Sequence, residues 1–68
     1  MTHFNVTDKA GEIIKGGEGF ESLREAEAHR AAYAAKVESR EISDYDIYQV
    51  DLNEWSDGEN NEEWKLVN

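Results

Sequence analysis

The sequence predicts an α+β fold of ββαββ type. A four-stranded antiparallel sheet, order 2-1-3-4, carries one helix packed on one face. Three observations predict it. Apolar and polar residues alternate at period two near the N-terminus, and residues 44–55 form a second, longer strand-like run. Between them lies a stretch rich in alanine and glutamate, opened by a serine in capping position. Turn-forming residues, DKAG and SDGENN, sit inside each half.

The elements follow in chain order. In THFNVTD, residues 2–8, Phe4 and Val6 share one face and His3, Asn5 and Thr7 the other, the pattern of a half-buried strand. DKAG at 8–11 is a hairpin turn, with Asp8 free to bond the backbone and Gly11 able to take positive φ. EIIK then returns as a second strand, and KGGEG at 15–19 ends it, because closely spaced glycines weaken a strand and permit a bend. A glycine pair also suits a phosphate, but no strand–loop–helix signature with Lys and Ser/Thr follows here.

SLRE at 22–25 is a capping box: Ser22 accepts from the third helical N–H and Glu25 reaches back. Glu21, Glu25 and Glu27 early, with Lys36 and Arg40 late, suit the helix dipole. The alanines of 26–35 favour helix strongly. A helix over 22–40 is predicted, with Leu23, Ala26, Tyr33, Ala34 and Val37 on its inner stripe. Arg30 falls in that stripe, its stem on the core and its guanidinium reaching for an edge carboxylate.

DYDIYQVDLNEW, residues 44–55, is the longest predicted strand. Tyr48, Val50 and Leu52 are placed toward the core. Tyr45, Ile47, Gln49, Asp51, Asn53 and Trp55 are placed on the uncovered face. After SDGENN, EWKLVN forms the fourth strand with Trp64 and Leu66 inward. A right-handed crossover that skips one strand sets the third strand beside the first, which gives the order 2-1-3-4. The expected core is Phe4, Val6, one of Ile13 and Ile14, Phe20, Leu23, Ala26, Tyr33, Val37, Tyr48, Val50, Leu52, Trp64 and Leu66.

Size and charge narrow the function. The 68 residues make a single domain, 1–68, without cysteine, and a chain this short buries only about 60% of its unfolded surface. MTHFNVTDKAGE has neither a basic n-region nor an apolar h-region. No apolar run approaches the roughly 18 residues of a membrane span. A soluble cytoplasmic protein is the expectation. Sixteen acids face seven bases, a formal net charge of −9. Phosphates and anionic membranes repel such a surface, so direct nucleic-acid or membrane binding is not expected. Basic partner surfaces are favoured. The charge is also segregated. Residues 1–40 carry seven acids and six bases, net −1, whereas residues 41–68 carry nine acids and one base, net −8. Solubility alone does not require that asymmetry.

Several chemistries are tested by spacing. DLNEWSDGENNEEW, residues 51–64, fails as a calcium loop: with Gly58 at the sixth position, Trp55 and Trp64 fall where two oxygen ligands belong. His3 and His29 lie on different elements, with no cysteine to complete a metal site. Paired carboxylates act as acid and base only where an enclosed cleft separates their pKa values, and one helix on one sheet leaves little room for a cleft. No enzyme and no cofactor is expected. Binding remains. Tyr45, Ile47, Trp55 and Val67 among Asp51 and Glu63 on an uncovered face have the composition of a protein-binding hot spot. Carboxylates two apart on a strand, as Asp44 and Asp46, stand about 6.6 Å apart, against about 3.4 Å per phosphate along one DNA strand.

In architecture and charge the whole chain resembles the small acidic inhibitors made by bacteriophages, among them anti-CRISPR proteins and DNA-mimic anti-restriction proteins. That resemblance implies a non-enzymatic inhibitor of a host nucleic-acid-handling machine, at work in the cytoplasm of a bacterial host. Asp44, Asp46, Asp51, Glu54, Asp57, Glu59, Glu62 and Glu63 would occupy the basic surface of a protein or ribonucleoprotein complex. Tyr45, Ile47 and Trp55 would anchor the contact. The alternative is a small regulatory or structural interaction module, monomer or homodimer, whose acidity serves only solubility.

Overall fold

The computed structural model describes residues 2–54 and 60–67, with backbone alone at 53, 54 and 60. Strand β1 (Thr2–Asp8) leads to helix α1 (Leu23–Lys36), a 3-10 turn (Ile42–Asp44), strand β2 (Tyr45–Glu54) and strand β3 (Asn60–Leu66). The fold is α+β. The sheet, however, has three antiparallel strands in the order β1-β2-β3. The expected four-stranded sheet of order 2-1-3-4 is thus overturned, and the missing member is the strand assigned to EIIK.

Glycine chemistry accounts for the loss. Residues 12–20 do run along the outer edge of β1, but without a regular ladder. Ile14 N donates to Val6 O at 3.0 Å, Val6 N donates to Gly17 O at 2.7 Å, and Phe4 and Phe20 exchange bonds of 2.8 and 2.9 Å. Val6 therefore addresses two residues three apart, and the chain between them is looped out by a Gly17 N to Ile14 O bond of 2.9 Å. Gly16 and Gly19 take φ of 74° and 78°, values that side chains disfavour. A Cβ on Gly17 would sit 2.7 Å from Ile14 Cγ1 and 2.8 Å from Val6 O. The edge of β1 is satisfied, but by a bulged loop rather than a strand. At the preceding turn, Asp8 Oδ1 accepts from Ala10 N and Glu12 N at 2.9 and 3.0 Å, and Gly11 adopts φ of 87°.

Helix α1 begins as its cap predicts, with Ser22 Oγ accepting from Glu25 N at 3.2 Å. It ends at Lys36, short of the predicted 40. Past Lys36 the alanines run out, β-branched Val37 is extended at φ −100°, and Ser39 turns to φ 72°. An Arg40 N to Val37 O bond of 3.2 Å closes the exit turn.

The register decides the faces. Residues directly opposite across a strand pair share a face. Val6 faces Ile47 and Asp8 faces Tyr45. That face lies under α1, where Val6, Ile14, Ala26, Ala34, Tyr45 and Ile47 form the buried core, with Phe4, Phe20, Leu23 and Tyr33 packed against it. Tyr33 and Tyr45 meet edge-to-face at 5.3 Å. Of the two neighbouring isoleucines Ile14 is buried and Ile13 exposed. The phase expected for the second half of the chain is therefore inverted. Tyr45 and Ile47 belong to the core, while Tyr48, Leu52, Trp64 and Leu66 lie on the opposite face; Val50 shares that face by register but is fully buried, as a core residue should be. Arg30 is half-buried, and its Nε has no hydrogen-bond partner among the described residues.

Length explains how the acidic half is displayed. At about 3.3 Å per strand residue and about 1.5 Å per helical residue, β2 outreaches α1 by roughly 10 Å. β1 covers β2 only from Tyr45 to Asp51. Beyond it β2 and β3 continue as a two-stranded ribbon. Among the described residues no helix is long and apolar enough to cross a membrane.

Candidate docking face

The face of the sheet turned away from α1 carries His3, Asn5 and Thr7 from β1, Asp46, Tyr48, Val50 and Leu52 from β2, and Glu62, Trp64 and Leu66 from β3. Its β1 side is closed. Asn5 and Thr7 are buried, and Asn5 Oδ1 accepts from Gly19 N at 2.8 Å. Thr7 Oγ1 is buried without a hydrogen-bond partner among the described residues. Its β3 side is open, with Trp64 at 39% and Leu66 at 56% exposure. The Trp64 ring lies 5.6 Å from that of Tyr48, centroid to centroid, and its Nε1 donates to Glu62 Oε2 at 3.0 Å. The indole is thus held at a tilt of 56° against a neighbour with its polar edge satisfied. An amphipathic ring in that state is a ready contact surface.

The acids expected at the interface divide by what they already do. Asp44 Oδ2 accepts from Glu41 N at 2.7 Å and closes the 3-10 turn. Asp46 pairs with Lys9 Nζ at 2.8 Å. Asp51 Oδ1 accepts from Thr2 Oγ1 at 2.7 Å and more weakly from Gln49 Nε2 at 3.4 Å. The Thr2 bond first, then Gln49 and the charge of Lys65, hold the Asp51 carboxyl below the usual carboxylate range. Glu62 supports Trp64. Glu63 is exposed and stands opposite Asp51. Glu54 has its backbone in β2, opposite Asn60. Trp55, Asp57 and Glu59 lie outside the described residues.

The structure therefore brings Asp46 and Glu62 to one face with Tyr48, Trp64 and Leu66. It sets Asp51, Glu63 and Val67 on the other. Tyr45 and Ile47 are withdrawn from solvent, which corrects their expected role as exposed anchors. Their place is taken by residues that sequence patterning assigned to the core. The signal that both phases were open lies in DYDIYQVDL itself, whose apolar residues shift from odd to even positions at Ile47–Tyr48.

Two clefts adjoin the C-terminal end of α1. One, of about 380 Å³, is lined by both charge signs, including Asp8, Lys9, Glu12, Arg40 and Asp44. The other, of about 410 Å³, is lined by Lys15, His29, Ala32, Tyr33 and Lys36. His29 Nε2 lies 3.0 Å from Lys15 O, so this nitrogen carries the proton. The ring also packs at 5.2 Å from Phe20. These contacts tie α1 to the glycine loop. Among the described residues no three His, Asp or Glu side chains converge as a metal site. No protein-family model, no curated protein and no solved structure matches the chain.

Proposed function

We propose that this chain is a non-enzymatic, acidic protein-binding inhibitor of a nucleic-acid-handling machine, of the phage anti-CRISPR or anti-restriction kind. It docks through the uncovered face of β2 and β3 onto the basic surface of a protein or ribonucleoprotein complex. One observation carries this reading. An exposed apolar strip, Trp64 and Leu66 beside Tyr48, lies in the half of the chain that holds a net charge of −8. The strip supplies burial at the centre of a contact. The acids around it steer the approach and meet lysines and arginines that otherwise hold phosphates.

A competition experiment tests this. The protein is added to a guide-RNA nuclease or restriction complex retained from bacterial lysate and loaded with labelled nucleic acid. Release of the label is expected. Release should be lost on Tyr48→Ala, and on joint reversal of Glu54, Asp57 and Glu59 to lysine, with the fold intact by circular dichroism. Release that survives both changes contradicts the acidic-face mechanism.

A second reading has its own support. Asp44, Asp46 and Asp51 are all engaged within the chain. On that reading the protein is a small interaction module whose acidity keeps it soluble, and its binding is indifferent to salt and to charge reversal.

A further inference from the structure

β3 is an edge strand. Among the described residues it pairs with β2 alone. The far edge of the sheet is different, since residues 12–20 cap β1 with backbone hydrogen bonds. Natural sheets blunt an open edge with proline, bulges, short strands or charged side chains, lysine above all. β3 is seven residues long, has no proline and carries a single lysine beside Glu62 and Glu63. Trp64, Leu66 and Val67 at its end are all exposed.

One hydrogen bond fixes which groups point outward. Val67 N donates to Ile47 O at 2.9 Å. Backbone groups alternate in direction along an antiparallel strand. Residues 61, 63, 65 and 67 therefore address β2, and Glu62, Trp64 and Leu66 turn their N–H and C=O groups to the open edge.

We propose that a second copy of this chain pairs its β3 antiparallel with this edge, about a two-fold axis at Trp64, to make a six-stranded sheet. Side-chain chemistry favours that axis over the two beside it, which also let outward groups meet. An axis at Glu63 would set each Glu63 against its own copy. An axis at Lys65 would set lysine against lysine. Like charges directly opposite destabilise a strand pair. The axis at Trp64 sets Glu63 opposite the partner's Lys65, and symmetry makes that pair twice. It also joins the two indoles on the uncovered face and lays Leu66 beside the partner's Glu62. Because such an axis is perpendicular to the sheet, both helices fall on one side. The two Tyr48–Trp64 strips then merge into one continuous face. This goes beyond the docking reading, since it concerns the chain alone, and it doubles the surface on which that reading rests.

Sedimentation equilibrium of the purified protein, with no other partner present, tests the proposal separately from docking. The native chain is expected to form a dimer. Glu63→Lys and Lys65→Glu should each raise the dimer Kd roughly tenfold, and the double exchange should bring it back toward the native value. Both residues are exposed, and circular dichroism checks that each variant is folded. A monomer at all concentrations overturns the proposal. So does a dimer indifferent to the single changes, or an exchange as weak as they are. The register has its own check, because the chain has no cysteine. Trp64→Cys places two thiols on Cα atoms about 5.5 Å apart, within disulfide reach, whereas Leu66→Cys places them out of reach. Trp64→Cys should crosslink faster under mild oxidation; equal or reversed rates overturn the register.

Discussion

The body and the ribbon of this molecule are built on opposite plans. In the body β1 is flanked on one edge by residues 12–20 and on the other by β2, and α1 closes one face. Val6 and Ile47 there are almost fully buried, at 0% and 1% exposure, and residues 1–40 nearly balance their charges. In the ribbon β3 has one paired edge, all its described side chains are exposed, and acids dominate. The same alternating strand chemistry serves both. The difference teaches that burial follows what crosses a strand, not how apolar the strand is. Ile47 is buried because Val6 and α1 meet it, and Leu66 is exposed because, among the described residues, no element covers the β3 side of its face.

That contrast can be broken most sharply at Tyr45. As a core residue in edge-to-face contact with Tyr33, Tyr45→Ala should cost about 3 kcal/mol or more, a large part of the stability of so small a domain. Urea unfolding measures it, and a loss of only a few tenths would return Tyr45 to the surface. Gly17→Ala comes next. Its methyl group would meet Ile14 and the Val6 carbonyl, so a loss of about 1–3 kcal/mol is expected. Unchanged stability would show that the bulged loop yields.

The smallest effect is at the boundary of the two regions. The folded Asp51 carboxyl titrates below its unfolded value, chiefly through the Thr2 hydroxyl. Its contribution is thus present above the unfolded pKa and disappears as pH falls through the depressed folded one. Thr2→Val should lower the urea midpoint slightly at neutral pH, with the gap to the native chain closing below about pH 4. A gap constant down to pH 2 would assign the effect to packing instead.

How much of this was legible depends on the kind of signal. The helix start was, because a cap is local: Ser22 and Glu25 meet within one turn whatever surrounds them. The DKAG turn was for the same reason. The end of α1 was not, since Lys36 and Arg40 both suit a helix terminus and only the turn at Ser39 decides between them. EIIK reads as a strand by composition, yet its pairing depends on Gly17 fitting against Val6, a contact between distant residues. The face of β2 was undecidable from its own residues, because DYDIYQVDL is apolar on both sides and its phase is fixed by the register with β1. The charge segregation needed no fold at all. What the acids do within the fold did, since the bonds of Asp46 to Lys9 and Asp51 to Thr2 span most of the chain.

The central claim is that the helix-covered face of β2 is core and the opposite face of β3 is free to dock. Equilibrium urea unfolding of Ile47→Ala beside Leu66→Ala tests it most directly. The account predicts a loss of about 2–5 kcal/mol for Ile47→Ala and no more than about 0.5 kcal/mol for Leu66→Ala, measured where the protein is monomeric. Equal losses, or the larger loss at Leu66, would put the core on the other face and remove the docking surface.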